Sequence, residues 1–275
     1  MSPILSIEQL AITLRGDLRV VDDVSLEVPE GEIVGIAGES GSGKSMTASA
    51  LLGLLPDRSV TAGQAWWRGG REPVDLLTLD QRSWNRVRGR EIAMVFQDAT
   101  ASLHPMLTVG TQITEHMRVH LKMSRRAARA RAIELLDRVR IPDPEGALRS
   151  YPHQFSGGMR QRVAIAAALA CEPRLLVADE PTTALDVTVQ AGILRLLEEL
   201  RIESGLSVLF ITHDLAVLAA LTTHAYVFRE GRVIESGPTE ALLFHPEHDY
   251  TKTLVAARPQ ADDWDDPEPV AGATA

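Results

Sequence analysis

Eight consecutive residues, Gly38-Glu39-Ser40-Gly41-Ser42-Gly43-Lys44-Ser45, have the types and spacing of a polyphosphate cradle, G-x-x-x-x-G-K-[ST]. Glycines let backbone N–H groups turn inward around an anion. Lys44 can then reach the outer phosphates, and the Ser45 hydroxyl can be offered to Mg²⁺. Far downstream, Asp179 and Glu180 close the apolar run Leu175 to Ala178. Asp179 suits a hold on Mg²⁺, direct or through water, and Glu180 suits polarising a water for attack on a γ-phosphate. Such a pair also suits the cap of a following helix; Lys44 upstream favours the phosphate chemistry. His213 ends a further apolar run, Val208 to Thr212, where it would meet the γ-phosphate and the attacking water. Gln97 follows Val95-Phe96, and an amide there can coordinate Mg²⁺ or orient water.

These side chains can act together only if the chain brings them to one edge. Ile33 to Ala37 is strand-like and runs straight into the glycine loop. A helix is expected from Met46 to Leu55, its positive N-terminal end turned toward the same anion. Ile92 to Phe96, Arg174 to Ala178 and Ser207 to Ile211 read as strands buried on both faces, the last two separated by a helix from Thr188 to Glu203. That alternation predicts an α/β fold with a mostly parallel sheet and helices on both faces. Ligands of such sheets bind outside the carboxyl ends of the strands. Leu5 to Leu10 and Val24 to Val28 read as short antiparallel strands, turning at Pro29-Glu30-Gly31. Gln64 to Arg68 is another strand, closed by Gly69-Gly70. From about Ala99 to Ala170 the pattern is helical. A small antiparallel sheet and a helical lobe are therefore expected beside the parallel core.

With 275 residues, 45% of them hydrophobic, the chain can bury one large domain or a domain with a lobe. It has no apolar run of eighteen residues, so a membrane span is not expected. Met1 to Leu10 lacks the basic region and apolar block of a secretory signal. Cys171 is the only cysteine, which excludes an intrachain disulfide and a cluster held by four cysteines, and suits the cytosol. The net charge of −9 disfavours a nucleic-acid partner. Asp262, Asp263, Asp265, Asp266 and Glu268 crowd a tail expected to be disordered. Arg118, Lys122, Arg125, Arg126, Arg129 and Arg131 make the middle basic. Contact with acidic lipid headgroups or a partner is one reading of that run. The preferred one is the solvated face of an amphipathic helix, with Ala127, Ala130, Ile133, Leu135, Leu136 and Val139 as its buried side.

Phe155-Ser156-Gly157-Gly158-Met159-Arg160-Gln161-Arg162 resembles the signature sequence of ATP-binding cassette (ABC) ATPases. The order Lys44, Gln97, Ser156, Asp179, Glu180, Asp186, His213 is similar to that family's Walker A, Q-loop, signature, Walker B, D-loop and H-loop. The likeness runs from about Leu5 to Arg258. It implies a P-loop NTPase domain over residues 4–258, with a helical subdomain inserted at about 99–164, a C-terminal extension at about 236–258 and an acidic tail at 259–275. The wording of the glycine loop, of Val95 to Asp98, of Tyr151 to Met159, of Ala178 to Thr188 and of His245 to Leu254 resembles the oligopeptide, dipeptide and nickel importer branch, nearest to its dipeptide-type ATPase subunits.

The resemblance implies an ATPase using ATP and Mg²⁺. The second ATPase subunit would normally be a different, related chain, and two membrane permeases and a solute-binding protein would complete the assembly at the cytoplasmic face. Gly38 to Ser45 would hold this chain's own nucleotide. Ser156, Gly157 and Gly158 would serve the partner's nucleotide rather than this chain's own, and Asp186 of the D-loop would also belong to the nucleotide-binding residues. Di- or oligopeptide import is the leading expectation. The alternatives are nickel import and a soluble ATPase accessory to an enzyme complex such as carbon–phosphorus lyase. One departure stands out: the aromatic residue on which the family stacks adenine, some thirty positions before the lysine, is absent, and Leu14 or Arg15 occupies its place. Either the Arg15 guanidinium stacks on the base instead, or the site holds nucleotide more loosely.

Overall fold

The computed structural model describes residues 2–183 and 185–256; the acidic tail and the last residues of the expected C-terminal extension lie outside the described residues. Strands β1 (Leu5–Leu14), β2 (Leu18–Val28) and β3 (Ile33–Ala37) precede helix α1 (Lys44–Ala50), followed by β4 (Val60–Trp67), β5 (Val74–Asp75), α2 (Gln81–Val87) and β6 (Ile92–Val95). A helical stretch follows: α3 (Ala99–Ser102), α4 (Val109–His120), α5 (Arg125–Arg138), α6 (Pro144–Ala147) and α7 (Gly157–Ala168). The chain continues through β7 (Leu175–Asp179), α8 (Val187–Ser204), β8 (Ser207–Thr212) and α9 (Leu215–Leu221). It closes with β9 (His224–Arg229), β10 (Arg232–Pro238), α10 (Thr239–Phe244) and α11 (Asp249–Ala256).

One sheet has the order β10-β9-β3-β8-β7-β6 and a second has the order β2-β1-β4-β5. From β9 to β6 all neighbours run parallel; β10 returns antiparallel to β9. Every residue of β3, β7 and β8 is buried, because the sheet is covered on both faces, and so each reads as an uninterrupted apolar run. Side chains of successive residues go to opposite faces. Val34, Ile36, Val177, Leu209 and Ile211 pack with Leu5, Ile7 and Trp67 of the antiparallel sheet. On the other face Ile33, Leu176, Val208 and Phe210 pack with Ile113, Leu135 and Leu136 of the helical stretch and with Ile193 and Leu196 of α8. The pairs Ala37↔Thr212, Asp179↔Ile211 and Val95↔Ala178 place the carboxyl ends of four strands side by side.

Three local expectations are corrected. The hairpin strands β1 and β2 are longer than the segments read from sequence and pair as far as Leu14↔Leu18. Register shifts between Ile7 and Ile12, and left-handed backbone at Gln9 and Asp23, break the two-residue alternation that would have marked them. The helix expected from Met46 to Leu55 starts at Lys44 and stops at Ala50, and the chain turns away at Gly53 with φ +59°. On α5, Leu135, Leu136 and Val139 are buried as expected, but Ala127 and Ala130 are exposed, and Ala128 and Ala132 take their place in the core. Residues 128, 132, 135, 136 and 139 share one face of a helix, whereas 127 and 130 do not. The basic residues of α5 are solvated: Arg129 pairs with Glu145 at 2.7 Å, and Arg131 with Glu172 at 2.5 Å. Strands β9 and β10 were not anticipated. Among the described residues no helix is long and apolar enough to cross a membrane.

Candidate nucleotide site

Because β3, β8, β7 and β6 are adjacent and parallel, the segments that leave their carboxyl ends meet. The glycine loop leaves β3, His213 leaves β8, Asp179 and Glu180 leave β7, and Gln97 leaves β6. A cavity of about 670 Å³ opens there, lined by Glu39, Ser40, Gly41, Gly43, Lys44 and Ser45 from the loop and by Gln97, Glu180 and His213 opposite. Thr183, Val20, Met46 and Leu254 complete its wall.

Lys44 is buried, and its Nζ donates to the carbonyls of Gly38 at 2.7 Å and Glu39 at 2.8 Å. Burial lowers its pKa, while the charges of Glu180, Asp179 and Glu39 pull the other way. The ammonium is thus held inside the loop by two carbonyls, with Ser42 Oγ as a third, longer acceptor at 3.5 Å. Gly43 precedes α1 at φ +100°, and a Cβ there would meet the Val20 carbonyl at 2.8 Å, so a larger residue would distort the loop. Gly43 caps α1 without a side-chain hydrogen bond, which leaves first-turn N–H groups available to an anion.

Asp179 is buried at the end of β7 and accepts a hydrogen bond from Ser45 Oγ at 3.0 Å. Burial raises its pKa; the Ser45 bond opposes that and the neighbouring Glu180 charge adds to it. A hydroxyl, a carboxylate and the nearby Gln97 amide make a sparse oxygen set. Such a set suits Mg²⁺, which keeps several waters and takes phosphate oxygens as further ligands. Among the described residues no group of three or more His, Cys, Asp or Glu side chains could hold a metal alone.

Glu180 is the hub. Its backbone sits at φ +46°, a left-handed conformation costly for a residue with a side chain, and its N–H is tied to the Ile211 carbonyl at 2.9 Å. One carboxylate oxygen, Oε2, accepts from Gln97 Nε2 at 3.0 Å and Thr183 Oγ at 2.9 Å, and lies 3.1 Å from His213 Nδ1. Gln97 and His213, which follow the two strands flanking β7 (β6 and β8), therefore converge on a single atom. That carboxylate is oriented by three neighbours while its second oxygen faces no protein donor among the described residues.

The other expected residues stand elsewhere. Ser156 caps α7, its Oγ accepting from the Met159 N–H at 3.3 Å, and Asp186 caps α8, accepting from the Val189 N–H at 2.9 Å. Both are exposed, and neither they nor Gly157 and Gly158 line the cavity. The two caps adjoin: a Cβ on Gly158 would meet Val189 Cγ1 at 2.5 Å. Arg15 is exposed in the turn between β1 and β2 and does not line the cavity, whereas Val20 does. Sequence reasoning passed over Thr183, Val20, Met46 and Leu254. For Thr183 a signal existed, a hydroxyl three residues past Glu180 in a Pro-containing turn; for the apolar three there was none.

The family model for ABC transporters matches residues 21–183. A Brucella abortus (strain 2308) protein, provisionally named as a peptide import ATP-binding protein, is 47% identical over 267 residues, covering 95% of this chain and 79% of its own. A Brucella ovis protein with the same kind of name is 46% identical with the same coverage. Among solved structures, the dimeric post-hydrolysis state of the ATP-binding cassette MJ0796 bound to ADP and Pi matches with TM-score 0.75 and 30% identity, over 86% of this chain and 98% of that one. CbiO1 of Clostridium perfringens, part of the ABC transporter complex cbiONQ, matches with TM-score 0.76 and 27% identity, over 89% and 92%. With a loop, carboxylate pair and histidine arranged on one sheet edge and this degree of likeness, the chain belongs to the ABC transporter family as an ATP-binding cassette ATPase.

Proposed function

We propose that this chain is the ATP-hydrolysing subunit of an importer for di- or oligopeptides, and that it works as one half of a closing pair. The observation that supports the chemistry best is the Glu180 carboxylate, held by Gln97, Thr183 and His213 in the cavity that Lys44 also lines. The glycine loop and Lys44 would bind the β- and γ-phosphates. Ser45 and Asp179, with Gln97, would hold Mg²⁺, which when bound neutralises charge developing on the phosphate oxygens. Glu180 would orient a water in line with the γ-phosphorus and take its proton as the new P–O bond forms and the bond to the bridging oxygen breaks, releasing ADP and phosphate. His213 would steady both Glu180 and the transferred group.

Ser156, Gly157, Gly158 and Asp186 do not line this chain's own cavity, and the exposure of Ser156, Gly157 and Asp186 supports their use on the nucleotide of a second ATPase subunit. Charge stabilisation in phosphoryl transfer depends on preorganised donors with water excluded, which a single chain with an open cavity lacks. The helical stretch would meet two membrane permeases and so hold the chain at the cytoplasmic face. The names of relatives at 47% identity support peptides as cargo.

Deleting the gene and measuring uptake tests the cargo. The expected result is loss of labelled di- and oligopeptide uptake with Ni²⁺ uptake intact, and co-purification of the tagged chain with two integral membrane proteins and a second ATPase. Loss of Ni²⁺ uptake alone would replace peptides with nickel; capture of soluble enzyme subunits alone would refute the transport role.

A further inference from the structure

The nucleotide cavity lacks the aromatic ring that a purine would stack on: the only ring on its wall, among the described residues, is the His213 imidazole at the catalytic end. Its apolar side chains are Val20, Met46 and Leu254, and Leu254 lies more than two hundred positions from the loop, in the last turn of α11. The helix is tied to the phosphate loop. Tyr250, buried, accepts a hydrogen bond on its hydroxyl from the Glu39 N–H at 3.1 Å. The carbonyl of that same residue, Glu39, receives the Lys44 ammonium at 2.8 Å, so both backbone polar groups of one loop residue are held, one by α11 and one by the lysine. The Arg229 guanidinium lies over the Tyr250 ring, 4.9 Å from its centroid. At the start of α11, the Glu235 carboxylate accepts the N–H groups of Glu247 at 2.8 Å and His248 at 3.2 Å. Leu254 follows Tyr250 by four residues and so shares the face that meets the loop.

We propose, resting on the nucleotide reading above, that α11 is the base-side wall of the site: Leu254, with Val20, packs on the purine ring, and Tyr250 holds the loop in its phosphate-binding shape. Glu180, Gln97 and His213 mark the γ-phosphate end, which sends the base toward the opposite wall. An aliphatic clamp replaces a stacked ring there, and Arg15 takes no part. Leu254 is a binding residue in this account, and Tyr250 a positioning residue that acts through Glu39.

Titration calorimetry of the full chain with Mg·ATP and, in parallel, with Mg²⁺ and inorganic tripolyphosphate separates base from phosphate. Leu254→Ala is expected to weaken ATP about 5- to 10-fold, the worth of one or two methylenes withdrawn from contact, with tripolyphosphate affinity unchanged. Leu254→Phe, which keeps an apolar wall, is expected to retain or tighten ATP. Tyr250→Phe keeps the ring beneath Arg229 and leaves the Glu39 N–H unpaired, and is expected to weaken both ligands about 5-fold. Equal losses of both ligands in Leu254→Ala, or no loss of ATP, would overturn the proposal. A wild-type chain that binds neither ligand would overturn the nucleotide reading itself.

Discussion

The cavity at the sheet edge and the exposed caps of α7 and α8 carry motif residues of similar kinds, yet they are built in opposite ways. In the cavity the key side chains are tied to one another, several across long sequence separations: Ser45 to Asp179, and Gln97 and His213 to Glu180, while Lys44 is held by carbonyls of its own loop. Among the described residues, Ser156 and Asp186 are bonded only to their own helices, to Met159 and Val189, and they are exposed. On the function proposed above, the difference teaches that one half of the machinery is preorganised within the chain while the other half is presented outward, where a second subunit would meet it. Preorganisation is concentrated where charge must be held in a confined space; the outward half needs only a rigid helix start.

Substitutions on the two sides should therefore behave differently. The largest effect is expected for Glu180→Gln, which should lower turnover in the assembled complex about 10²-fold or more while Mg·ATP still binds, as measured by steady-state hydrolysis and calorimetry. Unchanged turnover would remove Glu180 from the role of base. Next, Ser156→Ala should lower the complex's turnover about 10-fold with no change in this chain's own ATP affinity, because a lost donor acts on the facing nucleotide. A loss of affinity in the isolated chain would put Ser156 back at its own site and erase the comparison. The smallest effect is expected for Thr183→Val, which removes one of three neighbours from Glu180 Oε2. A few-fold fall in kcat, worth about 1 kcal/mol, with KM for ATP held constant would show that Thr183 positions rather than binds.

Much of the inward half was legible because its residues end apolar runs or, for Lys44, close a glycine loop that follows one, and parallel topology sends all such ends to one edge. Lys44, Gln97, Asp179, Glu180 and His213 could be placed this way without any contact being known. Tyr250 could not, since its bond to Glu39 joins positions 211 apart and a tyrosine in a C-terminal helix carries no local sign of its partner. Leu254 was hidden for a related reason: an aliphatic residue that lines a cavity looks like one that fills a core. On α5 the error was one of phase. Alanines occupy both faces, at 127, 128, 130 and 132, so composition gave no bearing, and only the angle set by Leu135, Leu136 and Val139 selects Ala128 and Ala132. The hairpin strands were truncated because bulges interrupt their alternation.

The central claim is that a complete phosphate grip resides in one chain and an incomplete catalytic shell awaits another. The most direct measurement is the Mg·ATP hydrolysis rate per subunit of the purified chain, followed as the second ATPase subunit is titrated in. The account expects saturable Mg·ATP binding with slow turnover alone and a steep rise in rate on pairing. Full-speed hydrolysis by the chain alone, independent of its concentration, would contradict it.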